Sequence, residues 1–235
     1  MALRTLLIAG AGVLATALIG TAVAIGGYSL ARTQSALEHA ADQLENDNVR
    51  LALKASYVDH GEPTAFSGMA RYNVEGTHLR MDVDTTFDKD EAPVRQTILM
   101  IGQDAWVGGG EMEYALPSGK RWLHVIEPKN SVESTRMTEV ADWLRGAGDI
   151  SKHEEGTIRG KHVTRYSGTL LDGTIQAWLD DDRVPRRIAV KTKDSGFSMD
   201  WRADVLEYGP QVLVQAPPRT ETIEEAEWDK LNAES

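Results

Sequence analysis

The chain has 235 residues, of which 25 are Lys or Arg and 36 are Asp or Glu, so its formal net charge is −11. Such an acidic surface repels nucleic acid and anionic lipid headgroups at long range, and we therefore expect no nucleic-acid partner. The chain contains no cysteine, which excludes disulfides, thiol catalysis, thiolate metal sites and a lipid-modified cysteine as an anchor.

The chain begins with an apolar segment, because residues 5–27 carry no charge. About 20 apolar residues are enough to cross a bilayer as a helix. The segment also fits a secretory signal, with Arg4 before it and small residues at Ala24 and Ala31 that suit cleavage. Positive charge before the segment favours a cytoplasmic N-terminus. We predict that residues 1–31 are a signal peptide or transmembrane anchor and that the remainder lies outside the cell membrane, or is secreted if cleavage occurs.

A helix is predicted over residues 34–48, where five apolar residues recur at helical spacing: Ala36, Leu37, Ala40, Ala41 and Leu44. The period then changes to two. Leu79, Met81 and Val83 alternate with polar residues, which indicates a strand with one wet face. The apolar run from Ile98 to Ile101 predicts a strand covered on both sides, and strands are expected to return through 105–107, 112–116 and 121–126.

A second helix is predicted over residues 134–146, with Ser134 or Thr135 as its cap and Gly146 at its end. Strands follow at 161–171, 174–180, 187–193 and 197–207, then a short strand at 211–215 and a short acidic helix within 222–233. The fold class is therefore α+β, with about nine to eleven strands in an antiparallel meander and two or three helices. Long meandering sheets curl, which leaves a concave face for a helix or a ligand.

No catalytic constellation stands out. None of the six histidines has a second histidine two or four residues away, and His153 begins a pattern that lacks the second histidine of the zinc-helix motif. Asp180, Asp181 and Asp182 could contribute to a calcium site, but a hairpin turn with exposed acids explains them better. We expect no enzyme activity, no metal and no cofactor.

Aromatic and sulfur-containing side chains recur on the predicted strands. The chain has six Trp and only three Phe, and strand aromatics such as Trp106, Trp122, Trp178 and Trp201 usually belong to a core. Lining an apolar cavity, where a helix covers a curled sheet imperfectly, is the less favoured alternative for these residues. Methionines on the strands suit a surface that adapts to variable apolar partners.

Several motifs together resemble actinobacterial lipoproteins of the LppX/LprG type. They are the GKHVTRYSGTL run at 160–170, the AWLDDDRVPRRI run at 177–188, the YGPQVLVQAP run at 208–217, and a DAWVG hairpin at 104–108 followed by Trp122. The resemblance covers residues 50–218. This chain lacks the cysteine through which members of that family are typically anchored to the membrane.

The resemblance implies a LolA/LolB-like fold, a strongly curved sheet or half-open β-barrel whose mouth is covered by helices. It divides the chain into a segment at 1–31, a curled-sheet domain at 32–218 and an acidic tail or short helix at 219–235. It also implies an acylated lipid or glycolipid as ligand and a carrier role at the outer side of a bacterial membrane. The predicted cavity lining is Leu79, Met81, Val83, Ile98, Met100, Trp106 and Trp201, and the predicted lid is the helix carrying Met137, Val140, Trp143 and Leu144.

An interaction module is the alternative prediction. In that case the same domain would be a tethered, non-catalytic partner-binding or envelope-scaffold unit with a filled core. A cavity of several hundred cubic ångströms between sheet and helices would favour lipid binding, whereas a solid core would favour the interaction module.

Overall fold

The structure, a computed structural model, describes residues 28–74, 78–86, 92–110, 115–126, 137–194 and 196–233. Its helices are α1 (Tyr28–Asn46), α2 (Met137–Gly146) and α3 (Glu225–Ala233), with one 3-10 turn at Arg219–Glu221. The strands are β1 (Val49–Asp59), β2 (Glu62–Tyr72), β3 (His78–Thr86), β4 (Val94–Ile101), β5 (Asp104–Gly108), β6 (Trp122–Ile126), β7 (Gly148–Ile158), β8 (Lys161–Leu170), β9 (Gly173–Asp180), β10 (Pro185–Asp194), β11 (Phe197–Tyr208) and β12 (Thr222–Glu224).

All twelve described strands form one sheet in the order β12-β6-β5-β4-β3-β2-β1-β11-β10-β9-β8-β7. Neighbouring strands are antiparallel except for β12, which pairs in parallel with β6. The sheet has two edges and is not closed into a barrel. The predicted antiparallel sheet with two or three helices is confirmed: the described residues form one open sheet of twelve strands and three α-helices.

Side chains alternate between two faces of the sheet, as the pleat requires. On β1 the buried residues Leu51, Leu53 and Ala55 alternate with the exposed Lys54. We call the side with the buried residues the core face and the opposite side the outer face. The register continues the core face across the sheet, since Leu53 pairs with Ala203 of β11.

Helices α1 and α2 pack against each other, and α1 also contacts β7 and β10. Leu37 and Leu44 of α1 and Leu144 of α2 are at most 1% exposed and belong to the same hydrophobic cluster as the core face. We call the end of the sheet at which α1 leads into β1 the helix end. The opposite end, at which β1 turns into β2 through His60 and Gly61, is the hairpin end.

The sheet has more strands than the nine to eleven predicted. No strand was predicted over β1, β2 or β7, which have 11 residues each. The sequence of β7 alternates weakly, and its pairing with β8 is interrupted by two bulges. Strand β12 has three residues and pairs with a strand about 100 residues away, which no local pattern reveals. Conversely, the strand predicted at 211–215 is wrong, because those residues are not in any strand.

The predicted C-terminal tail lies on the sheet through β12 and α3. The predicted signal or anchor segment falls mainly on residues 1–27, which lie outside the described residues. Among the residues that the structure does describe, no helix combines the length and apolar character needed to cross a bilayer.

Paired charges line the outer face, and Asp204 gives a testable pH dependence. Burial raises the pKa of its carboxyl, but hydrogen bonds from Arg187 and Arg202 outweigh that effect and hold the pKa below its usual value. A lowered folded-state pKa contributes stability above the unfolded pKa of about 4, and that stability is lost as pH falls through the folded value. We therefore expect Asp204→Asn to cost on the order of 1 kcal/mol at pH 7 and almost nothing at the lowest pH at which the protein stays folded. Urea unfolding at both pH values measures this difference, and an equal cost at the two would contradict it.

Candidate functional site

The core face of β3 and β4 carries five of the seven residues predicted to line a cavity. Leu79 lies opposite Met100, and Met81 lies opposite Ile98. Val83 follows on the same face, and each of the five is at most 5% exposed. The sixth, Trp201, lies on the core face of β11 opposite Ala55. The structure therefore brings six of the predicted residues to one side of the sheet.

Trp106 lies on the other side, and its placement corrects the prediction. Its neighbours Ala105 and Val107 occupy the core face of β5, opposite Met100 and Ile98. The Trp106 ring stacks on His124 of β6 on the outer face, with 4.9 Å between ring centroids. Because three consecutive residues of β5 are apolar, their alternation could not assign the faces, and one step of parity moves the tryptophan.

His124 is fixed between two carboxylates on the outer face. Its Nε2 lies 2.9 Å from Asp104 Oδ1, and its Nδ1 lies 2.6 Å from Glu224 Oε2. Glu224 belongs to β12, so this contact and the buried Ile223 hold the C-terminal segment on β6. Trp106 thus packs on the outer face against a histidine that the C-terminal segment contacts through Glu224.

Helix α2 presents three of the predicted lid residues, Val140, Trp143 and Leu144, to the core. Val140 is 4% and Leu144 0% exposed, and the half-buried Trp143 makes an edge-to-face contact with Trp201 at 6.4 Å between centroids. Met137 begins the helix. The sheet and the helix therefore meet through two tryptophans near the middle of β11.

Arg145 joins the two helices at the end of α2. Its guanidinium lies 2.5 Å from Glu45 Oε2 and 2.8 Å from Asp42 Oδ1 of α1, and its backbone carbonyl accepts a hydrogen bond from Gln34. The hydrogen bonds to Glu45 and Asp42 raise the pKa of Arg145 above its ordinary value. This cluster fixes α2 on α1 at one end only.

We expect Arg145→Gln to loosen α2 without unfolding the sheet. Because the side chain is one-third exposed, solvent screens the ion pairs, and the cost in unfolding free energy should be about 1 kcal/mol or less. Amide hydrogen exchange should become faster in α2, and added salt should reduce the difference from wild type. Arg50→Gln, which removes an exposed pair with Glu207, is the control. Equal exchange of α2 in wild type and Arg145→Gln would contradict this role.

Thr85 and Gln96 are the two buried polar residues of the described core, at 3% and 6% exposed. Both lie on the core face: Thr85 follows Val83 on β3, and Gln96 pairs with Val83 from β4. The sequence analysis missed them because it searched for apolar residues only. Both residues continue the alternation of their strands, but a polar residue near a strand end normally indicates solvent.

A concave pocket of about 540 Å³ lies at the hairpin end of the sheet. Its lining includes outer-face residues such as Ser56, Ala65 and Asp200, and also Tyr57 and Met199, which alternate with them and belong to the core. Lys191 lies 2.7 Å from Asp200 beside it. No described residue of α1 or α2 lines the pocket, so it is separate from the predicted space between the sheet and the helices.

The acidic run at 180–182 forms a turn. The carboxylate of Asp180 accepts hydrogen bonds from the backbone N–H groups of Asp182 and Val184 and from the Arg186 guanidinium. Its oxygens are therefore already used within the hairpin. In the described part of the chain no three His, Asp or Glu residues converge in a way that could hold a metal ion.

Comparison with solved structures shows the same fold in two mycobacterial proteins. LprF of Mycobacterium bovis superposes with a TM-score of 0.53 at 11% identity, covering 80% of this chain and 97% of LprF. The lipoprotein LppX of Mycobacterium tuberculosis superposes with a TM-score of 0.50 at 11% identity, covering 79% and 99%. The resemblance noted from the motifs is thus confirmed for the fold.

Sequence similarity to curated proteins is partial. A Streptomyces coelicolor protein named as a lipoprotein, SCO4650, is 28% identical over 99 residues, which is 40% of this chain. The match spans about a third (34%) of that relative's length. No protein-family model matches the chain.

Proposed function

We propose that the chain is a non-catalytic protein of the bacterial cell envelope that binds and carries acylated lipids or lipoconjugates on the core face of its sheet. The ligand would lie between strands β3 to β5 and the helices, with α2 as the movable cover. The shared fold with LprF and LppX supports this proposal as a matter of architecture.

The observation that carries the proposal is the width of the apolar core face relative to the helices. Twelve strands spaced by about 4.8 Å make a sheet roughly 50 Å wide, whereas two packed helices, each about 10 Å across, cover roughly 20 Å. The contacts of α1 with the sheet fall on β7 and β10. The apolar face of β3 to β5 lies four or more strands from β10 in the sheet order. Its residues are at most 6% exposed in the protein alone, so the protein itself covers them, and a bound acyl chain would have to displace part of that cover.

The chemistry of that face suits acyl chains. Met81 and Met100 are flexible and polarizable, and they lie among the branched side chains of Leu79, Val83 and Ile98. Burial stabilises a ligand by about 0.8 kcal/mol per methylene. Ten buried methylenes would contribute about 8 kcal/mol, from which the costs of association are subtracted, so micromolar binding requires a greater length of buried acyl chain than this.

The chain has no cysteine that could be lipidated, so the uncharged segment at residues 5–27 would serve as the anchor or as an export signal. The positive charge at Arg4 would keep the N-terminus in the cytoplasm and place the sheet domain outside. A protease added to the outside of intact cells should then digest the sheet domain. If the domain is digested only after the cells are lysed, this location is contradicted.

Binding can be tested directly with a fluorescent fatty acid added to protein that has been stripped of lipid by organic extraction and refolded. We expect saturable binding at micromolar concentration and displacement by a diacyl lipid. Absence of binding by a correctly refolded protein would overturn the proposal. That result would favour the alternative of an interaction module with a filled core.

A further inference from the structure

The polar pair Thr85 and Gln96 stands out in an otherwise apolar surface. Apart from tyrosine and tryptophan, the described core consists of aliphatic side chains, methionine and these two residues. They lie on neighbouring strands at diagonal positions, because Val83 pairs with Gln96 and Thr85 pairs with Val94. Diagonal side chains on one face of an antiparallel pair are within reach of one another and of a single third group.

Their hydrogen-bonding capacity is unused within the described chain. No described residue forms a hydrogen bond with the side-chain amide of Gln96 or with the hydroxyl of Thr85. Neither group is among the fully buried unpaired atoms of the described chain, so these polar atoms keep some accessible surface although the residues as a whole are buried, and a ligand group can reach them. A polar ligand group is one way to satisfy both side chains at once.

The position of the pair along the sheet indicates which part of a ligand it would meet. Going toward the hairpin end, the core face of β4 runs from Met100 through Ile98 to Gln96, so the polar groups come at the end of an apolar strip. An acyl chain lying along Met100 and Ile98 would place its polar attachment point beside Gln96. In acylated lipids and lipoconjugates that attachment point is an ester or amide carbonyl.

Building on the proposed function, we infer that Gln96 and Thr85 form a carbonyl-recognition subsite for acyl esters or amides. The Gln96 amide and the Thr85 hydroxyl donate hydrogen bonds to the carbonyl oxygens that link the acyl chains to the headgroup. The subsite fixes the depth at which the ligand is bound. It also distinguishes acylated ligands from hydrocarbons and ether lipids of the same shape, which lack those acceptors.

A pair of probes that differ only in the carbonyl tests this inference. The full chain, stripped of lipid, is titrated with a diacylglycerol and with the dialkyl-ether glycerol of equal chain length. We expect wild type to prefer the ester by about tenfold, as two net hydrogen bonds would give. The near-isosteric double variant Thr85→Val with Gln96→Met should lose the preference and keep its affinity for the ether within about twofold.

Gln176→Met, on β9, is the matched control and should keep the tenfold preference. The infrared carbonyl stretch of the bound ester should shift to lower frequency in wild type and in the control but not in the double variant. Equal affinity of wild type for both probes would overturn the subsite while leaving the carrier function intact, and so would a preference that survives the double substitution. Binding of neither probe would overturn the proposed function itself.

Discussion

Val83→Phe is expected to remove most of the acyl ligand that the protein binds while leaving the ligand-free fold almost as stable as wild type. Val83 is 5% exposed and lies in the middle of the core face of β3. If a ligand occupies the space that the Val83 side chain faces, the larger Phe ring of the variant fills that space instead of forcing neighbouring side chains apart. The change in unfolding free energy should then stay below about 1 kcal/mol, the lower limit of the usual cost of overpacking a filled core.

Val190→Phe is the matched control because it makes the same substitution on the other half of the core face. Val190 is fully buried on β10, which α1 contacts, so overpacking should cost about 1–3 kcal/mol. Acyl binding by the folded fraction should remain. Similar costs for the two variants, with no loss of binding in Val83→Phe, would contradict a hollow at β3.

Leu144→Ala is expected to destabilise the fold more than any other single change considered for this protein, by between about 2 and 5 kcal/mol. Leu144 is 0% exposed on α2 and belongs to the cluster that joins α1, α2 and the sheet. Its truncation removes buried methyl groups and leaves a cavity that the packed helices cannot close. Denaturant unfolding measures the loss.

Asp142→Ala, two residues before Leu144 on the solvent side of α2 with a 75% exposed side chain, is the control and should change stability by about 0.5 kcal/mol or less. A cost below about 1 kcal/mol for Leu144→Ala would mean that α2 is not held on the core in solution. The account of α2 as a packed cover would then fail.

Local patterns predicted most of the second half of the sheet. Strands β8 to β11 are joined by tight turns at 171–172, 181–184 and 195–196, where Asp and Gly mark the breaks. Arg183 and Gly196 adopt the positive φ angles that such turns need. Each turn lies between strands with clear alternation, so both the strands and their antiparallel order follow from neighbouring residues.

Long-range features were not predictable in this way. The parallel pairing of β12 with β6 and the docking of Trp228 depend on contacts between residues about 100 positions apart. The outward position of Trp106 could not be assigned locally either, because β5 has three consecutive apolar residues and the ring that stacks on Trp106 belongs to His124 on another strand. The two bulges of β7 similarly hide its alternation.

The candidate site was predictable in its apolar part and not in its polar part. Leu79, Met81 and Val83 reached the core face as expected because strict alternation leaves one choice of face once burial is assigned. Thr85 continues that alternation, but a polar residue at a strand end normally indicates solvent. Only the structure shows that Thr85 and Gln96 are buried together.

The most direct test of the central claim is the mass of the native protein as its own host makes it. The full chain is extracted in mild detergent, purified and examined by native mass spectrometry, with Val83→Phe prepared in parallel. We predict that wild type carries up to one equivalent of a non-covalently bound molecule, and that the variant lacks it. Solvent extraction of wild type should release this molecule, which should prove to be an acylated lipid or lipoconjugate. An unadducted mass for wild type, together with failure to take up an added acyl lipid, would contradict the carrier function.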